Sequence, residues 1–136
     1  MKTTLDDLKI IQIPKITDPR GNLAVIEKEV LPYPIKRVYY LYDVPSDSAR
    51  GGHANKEQLA FLIALSGSFV VTLDDGTDKK EILLNKPDKG LLIPTGIWRE
   101  LNDFSSGAVC LSISSGEFDE DDYIREYEEF LEYKKL

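Results

Sequence analysis

Leu59-Ala-Phe-Leu-Ile-Ala-Leu65, Ser66-Gly67, Ser68-Phe-Val-Val-Thr-Leu73, Asp74-Asp-Gly-Thr-Asp78 and Lys79-Lys-Glu-Ile-Leu-Leu84 follow one another without a gap, and their reading decides the fold. Leu59–Leu65 and Ser68–Leu73 are apolar runs, the second carrying Val70, Val71 and Thr72. They are too short for helices and are joined by a Ser-Gly turn, so they read as two strands. Asp75-Gly76 is the strongest short-range hairpin signal, which makes Lys80–Leu84 the partner of the second strand.

Working outward from this core, Asn85–Gly90 is a turn that leads into Leu91-Leu92-Ile93 before Pro94-Thr95-Gly96. Ile97–Leu101 is a short strand carrying Trp98 and Arg99, and Asn102–Gly107 turns into Ala108–Ile113. Upstream, Leu8–Ile13 ends at Pro14, as suits a strand near a sheet edge. Thr17–Asn22 is a turn by its Asp-Pro and Gly-Asn pairs, and Asn22–Glu27 a further strand. Ile35–Tyr42 alternates, with Arg37, Tyr39 and Leu41 on one face and Lys36, Val38, Tyr40 and Tyr42 on the other. A face that mixes Arg, Tyr and Leu suits a pocket wall, although a cross-strand aromatic pair would explain Tyr39 equally well.

About nine short strands with turn signals every ~8–12 residues predict a small antiparallel sandwich or barrel, an all-β fold. The end of the chain differs. From Asp119 to Lys135, Tyr123, Ile124, Tyr127, Phe130 and Leu131 recur at helical spacing, with acids first and lysines last, which predicts one C-terminal amphipathic α-helix.

The 136 residues suffice for one core, so residues 1–136 are expected to form a single domain. A net charge of −7 argues against nucleic acid as a partner, while leaving room for a small anion held by a few arginines. No apolar run reaches the ~20 residues of a membrane helix and the first residues lack the apolar core of a signal peptide, so no membrane association and a cytoplasmic location are expected. The single cysteine, Cys110, sits in an apolar run and reads as a small core residue.

The candidate site is Arg50-Gly51-Gly52-His53-Ala54-Asn55-Lys56, which holds the only histidine. The two glycines permit a turn with positive φ and a close approach of backbone to ligand. On an extended segment His53 and Asn55 point to the same face. Imidazole is the one side chain whose ordinary titration lies near neutrality, though a lone histidine beside a glycine pair is also what an exposed loop carries. Arg20, on the first turn, is either a solvated charge or a ligand contact. One histidine and one cysteine cannot build a usual metal site, so no metal and no cofactor are expected.

The order of the motifs resembles a known family. Gly-x-His-x-Asn, then Leu-Ser-Gly-Ser, then Ile-Pro-Thr-Gly is similar to the two boxes of a cupin, a double-stranded β-helix or jelly-roll barrel. Asp18-Pro19-Arg20-Gly21, Ile35–Tyr40, Arg50–Ala54, Leu73–Gly76, Trp98-Arg99-Glu100, Asp103-Phe104-Ser105 and Asp122-Tyr123-Ile124-Arg125 together resemble the WxcM-like dTDP-sugar 3,4-ketoisomerases over nearly the whole chain. The resemblance implies a metal-free isomerase that moves the ketone of a dTDP-linked 4-keto-6-deoxyhexose from C4 to C3, on the route to bacterial surface glycans. It implies His53 as the base, Tyr39 as the group orienting it, and Arg20, Arg37, Arg50, Asn55 and Arg99 as substrate contacts. Its alternative is a nucleotide-sugar-binding cupin that has lost catalysis.

Two departures from the family pattern bear on this reading. The usual second histidine is Asn55, which cannot exchange protons near neutral pH, and a frequent glutamine is Ala60. Positions 20 and 99, which vary with product stereochemistry in the family, are both arginine, which leaves the product epimer open. Uncovered strand edges in a small barrel predict a homodimer formed by sheet extension or strand exchange.

Overall fold

The computed structural model describes residues 2–136. In chain order it contains β1 (Lys9–Gln12), β2 (Lys15–Asp18), β3 (Gly21–Ala24), β4 (Arg37–Leu41), β5 (Arg50–Asn55), β6 (Ala60–Ser66), β7 (Phe69–Asp74), β8 (Lys79–Leu84), β9 (Lys89–Ile93), β10 (Trp98–Asn102), β11 (Val109–Ser114), β12 (Tyr123–Ile124) and α1 (Tyr127–Lys134). Strands β1-β9-β6-β11-β4 form one five-stranded sheet and β12-β5-β10-β7-β8 a second, with β2-β3 as a separate hairpin. Apart from the β7-β8 hairpin, the strands from β4 to β11 alternate between the two sheets, which is jelly-roll connectivity. Among the described residues no helix is long and apolar enough to cross a membrane.

Register explains where the core lies. Cys110, Ser112 and Ser114 of β11 stand opposite Leu41, Tyr39 and Arg37 of β4, and opposite Ala64, Leu62 and Ala60 of β6. Directly opposed residues share a face, so these side chains line the inside of the sandwich. Phe69, Leu73, Leu91, Ile93, Phe104 and Cys110 are buried in one apolar cluster of that interior, each large side chain contributing about 1.5–3 kcal/mol on burial. Burial pushes the Cys110 thiol up to about 12, consistent with the expected core role. The outer face of the first sheet buries Phe61, Ile63, Leu92 and Ile113 with Ile13 and Leu31. The outer face of the second buries Ala54 and Trp98 beneath Ile124 and Phe130.

Three expectations need correction. The helix does not start at Asp119. Glu120–Asp122 form a 3-10 turn whose Asp119 side chain accepts from the Asp121 N–H, and Tyr123-Ile124 are drawn out to pair with Asn55 and Ala54. Pairing an open strand edge and burying Ile124 outweighs helical propensity in this segment. Gly52 lies within β5 and outside the left-handed region, so no glycine-pair turn precedes His53. Lys15–Asp18, outside the expected strands, is β2.

Candidate active site

The site follows from strand register. His53 on β5 stands directly opposite Arg99 on β10, and Asn55 stands opposite Tyr123 on β12. With His53 and Asn55 two residues apart on an extended strand, all four side chains share one face. Arg99 belongs to the same inward face as Leu101, a member of the apolar core, so this face looks into the sandwich. His53, Asn55 and Arg99 are all buried, which removes the reading of His53 as an exposed loop residue.

The contacts form a chain. Arg99 Nη1 lies 3.2 Å from His53 Nε2 and donates to Asn55 Oδ1 at 2.9 Å. Asn55 Nδ2 in turn donates to Asp122 Oδ2 at 2.9 Å. The Tyr123 ring packs against the imidazole, with centroids 4.7 Å apart. Burial pushes the Arg99 guanidinium down to about 10, against the pull of Tyr39, Tyr123 and Asp122.

From the facing sheet, Arg37 Nη2 donates to Gln58 Oε1 at 3.3 Å, Ser114 Oγ at 3.3 Å and the Tyr123 hydroxyl at 3.2 Å. The Arg37 guanidinium also lies 5.3 Å from the Tyr39 ring centroid and 5.6 Å from that of Phe118. Tyr39 occupies the inner face beside Ser112, as its alternation predicts. Tyr123 thereby joins the two sheets: its ring meets His53 and its hydroxyl meets Arg37.

Among the described residues, the buried side-chain polar atoms without a partner are Arg37 Nε, Arg99 Nη2 and Ser112 Oγ. All three belong to inward-facing residues at the polar end of the sandwich. Two of them can only donate. An unsatisfied buried donor is costly, so this end can take up acceptor oxygens. No group of three His, Cys, Asp or Glu among the described residues could hold a metal ion. The broad cleft of about 800 Å³ between the N-terminal segment, loop 75–78 and α1 contains none of these side chains.

Two predicted residues lie outside the cluster. Arg50 is exposed at the start of β5. The register shift between Arg99 and Leu101 sets Arg50 opposite Leu101, so the three-for-two bulge keeps it on the inward-facing side. Arg20 sits at the tip of the β2-β3 hairpin, where its Nη2 pairs with Asp18 Oδ2 at 2.7 Å and its side chain is 90% exposed. Reading residue by residue missed Gln58, Ser112, Ser114, Asp122 and Tyr123. The serines had a signal, two hydroxyls at alternate positions of an apolar strand. Tyr123 was hidden by its fit to helical spacing.

A jelly roll that holds an imidazole, two arginines and unpartnered donors between its sheets is a cupin-type protein with an internal site for a polar ligand. The fold alone is shared with dTDP-4-dehydrorhamnose 3,5-epimerase from Bacillus anthracis, at TM-score 0.76 and 16% identity over 90% of this chain and 80% of that one. The family FdtA, described as WxcM-like, C-terminal, matches residues 6–135. A TDP-4-oxo-6-deoxy-alpha-D-glucose-3,4-oxoisomerase from Aneurinibacillus thermoaerophilus is 44% identical over 126 residues, 92% of this chain and 91% of that protein. A 3,4-ketoisomerase from Helicobacter canadensis superposes at TM-score 0.93 with 42% identity, covering 96% of this chain and 98% of that one. A histidine-to-asparagine mutant of the 3,4-ketoisomerase from Thermoanaerobacterium thermosaccharolyticum, in complex with TDP-4-keto-6-deoxyglucose, superposes at 0.94 with 38% identity, covering 97% and 96%. The chain belongs to the WxcM-like family of sugar 3,4-ketoisomerases.

Proposed function

We propose that the protein moves the ketone of a TDP-linked 4-keto-6-deoxyhexose from C4 to C3, with His53 as the base, in nucleotide-sugar biosynthesis for bacterial surface glycans. The observation that carries this reading is a buried imidazole held against a buried guanidinium on the inner face of the sandwich. Arg99 can only donate, so His53 Nε2 accepts and is the unprotonated nitrogen of the neutral ring. A ketone oxygen that competes for the Arg99 N–H frees that lone pair. Nε2 then takes the C3 proton, which the C4 ketone acidifies, and Arg99 stabilises the developing enediolate. Passing the O3–H proton to O4 and the captured proton to C4 completes the exchange. Atoms and electrons balance without an oxidant, a reductant or a metal.

Under this reading Asn55 need not titrate, because one ring delivers and receives the proton on one face of the sugar. Tyr123 packs on the imidazole and Tyr39 lines the facing sheet beside Arg37, while Arg37 and Arg50 supply positive charge for the pyrophosphate. The test is incubation with TDP-4-keto-6-deoxyglucose in deuterated buffer. A 3-keto product carrying deuterium supports the isomerase; tight TDP binding with no exchange or conversion would replace it by a binding protein without catalysis.

The same reading includes a homodimer. Val38 and Tyr40 on the outer face of β4 and Tyr42 just beyond its end are 53%, 60% and 62% exposed, with Ile35 and Leu65 exposed as well. Such an apolar strip on an edge strand calls for cover. Light scattering at micromolar concentration should give twice the chain mass, and a monomer would refute it.

A further inference from the structure

We propose that Asp122 is a positioning residue of this site: through the Asn55 amide, its carboxylate orients Arg99 so that Nη1 serves His53 and Nη2 is left for the ligand. The inference rests on the isomerase reading for its kinetic consequence, and on geometry alone for its structural one.

The argument is one of hydrogen-bond polarity. An ionised carboxylate only accepts and a guanidinium only donates, whereas an amide can do either at each end. Asn55 lies between the two, so its orientation is determined: Nδ2 faces Asp122 and Oδ1 faces Arg99, both at 2.9 Å. With one Nη1 hydrogen drawn to Asn55 Oδ1, the other is directed at His53 Nε2, 3.2 Å away. Arg99 Nε is occupied by the Ile97 carbonyl at 3.3 Å, and Nη2 is the nitrogen without a partner. A histidine at position 55 would offer two ring nitrogens whose roles change with tautomer, whereas the amide transmits a single sense.

Asp122 is built for such a role. It is buried, and its Oδ1 accepts from the Glu57 N–H at 2.7 Å while Oδ2 also takes the Gln58 N–H at 3.3 Å. Its own carbonyl accepts from the Lys56 N–H at 2.9 Å. These bonds fix the carboxylate against the segment that leaves β5, so it cannot follow Arg99 if Arg99 moves. Asp122 also precedes Tyr123, whose ring abuts His53.

Because His53 is the only histidine, the nitrogen spectrum of ¹⁵N-histidine-labelled protein reports its tautomer without ambiguity. The wild type should show the neutral ring protonated at Nδ1 and bare at Nε2. Asp122→Asn keeps the shape but puts an NH2 where one acceptor stood, which forces a donor-donor contact either with the backbone or along the chain to Arg99. We expect a mixed tautomer and kcat/KM lower by about tenfold or more, carried by kcat. The double variant Asn55→Asp with Asp122→Asn restores the polarity along the chain to Arg99, since a carboxylate then faces Arg99 and an amide N–H faces that carboxylate; it keeps the 2.7 Å Glu57 bond to Oδ1 and gives up only the longer Gln58 contact at 3.3 Å. It should recover the single tautomer and come within about threefold of wild-type kcat/KM. Should Asp122→Asn fail to fold, Asn55→Ala, which leaves Asp122 bonded to the Glu57 and Gln58 backbone, takes its place with the same two expected losses. An unchanged tautomer with kcat/KM within about twofold, or a folded double variant no better than the single one, overturns the proposal. A wild-type protein that does not convert the sugar refutes the isomerase reading, while the tautomer measurement still decides the geometry.

Discussion

Replacing His53 by Asn separates binding from proton transfer. The shorter amide ends before the position of Nε2 and has no basic nitrogen, so nothing in the variant can take a proton from C3 near neutral pH. Arg99 keeps its 2.9 Å bond to Asn55 and its link to the Ile97 carbonyl, so the charge offered to the ligand stays in place. A positioned general base contributes about 10²–10⁴-fold, which at about 1.36 kcal/mol per tenfold is about 2.7–5.4 kcal/mol of barrier. The structural loss includes the ring contact with Tyr123 at 4.7 Å, worth about 0.5–1.5 kcal/mol beyond area burial, and the 3.2 Å contact with Arg99 Nη1, about 1.5–3 kcal/mol for a bond to a charged group. Conversion of TDP-4-keto-6-deoxyglucose followed by NMR should therefore slow by at least about 100-fold, while calorimetry gives a TDP affinity close to wild type. Turnover within about threefold of wild type, or a TDP affinity that falls in step with the rate, would refute the assignment of His53 as base.

Ser112→Ala removes a buried hydroxyl that has no partner; stability should hold or rise by up to about 1 kcal/mol while kcat/KM falls, and loss of neither stability nor activity would show that this donor does not meet the ligand. Phe130→Ala empties the contact of α1 with Trp98, whose ring centroid lies 5.7 Å away, and should cost about 3–5 kcal/mol in denaturant unfolding; a cost below about 1 kcal/mol would mean the helix is not held by this side chain. Burial works to raise the Asp75 carboxyl, but the Asp78, Thr77 and Leu5 N–H groups and nearby Lys134 together hold it below its ordinary 3.8. With the folded value lowered, its stabilisation is present above the unfolded value and lost as pH falls through the folded one. Asp75→Asn should therefore reduce stability at neutral pH and flatten its fall in acid; parallel pH profiles would contradict this.

The apolar runs from Leu59 to Leu84 were legible because each is bounded by turn residues and each became a strand of the sandwich. The alternation of Arg37, Tyr39 and Leu41 was legible for the same reason, since side-chain parity along a strand does not depend on its partner. What the sequence could not display is which strands are neighbours. His53 and Arg99 are separated by 46 residues, and only the β5-β10 pairing sets them opposite each other. Segment 119–126 misled the helical reading because Tyr123 and Ile124 fit a period of 3.6 and equally fit a two-residue strand. The decision between them lay in β5, whose open edge at Ala54 and Asn55 takes the pairing. Gly51-Gly52 misled in the opposite direction: a pair that permits a turn was used to carry a bulge.

That bulge and the graded strands around it explain why one interior serves both as core and as site. Read along the inner face, β11 runs Cys110, Ser112, Ser114 while antiparallel β4 runs Arg37, Tyr39, Leu41, so apolar meets apolar at one end and polar meets polar at the other. In the second sheet Leu101 lies toward the core, and Arg99 lies two residues further toward the site. The apolar end, with Phe69 and Phe104 stacked at 5.2 Å, supplies the rigid packing. The polar end leaves buried atoms of Arg37, Arg99 and Ser112 without a protein partner, a cost that a small domain tolerates only when the rest of its interior is well packed. In an antiparallel sandwich one polarity gradient per strand, reversed in its neighbour, concentrates chemistry at a single end without a dedicated loop. The strand pair β5-β10, with His53 and Arg99 in register, adds an imidazole and a guanidinium to that same end.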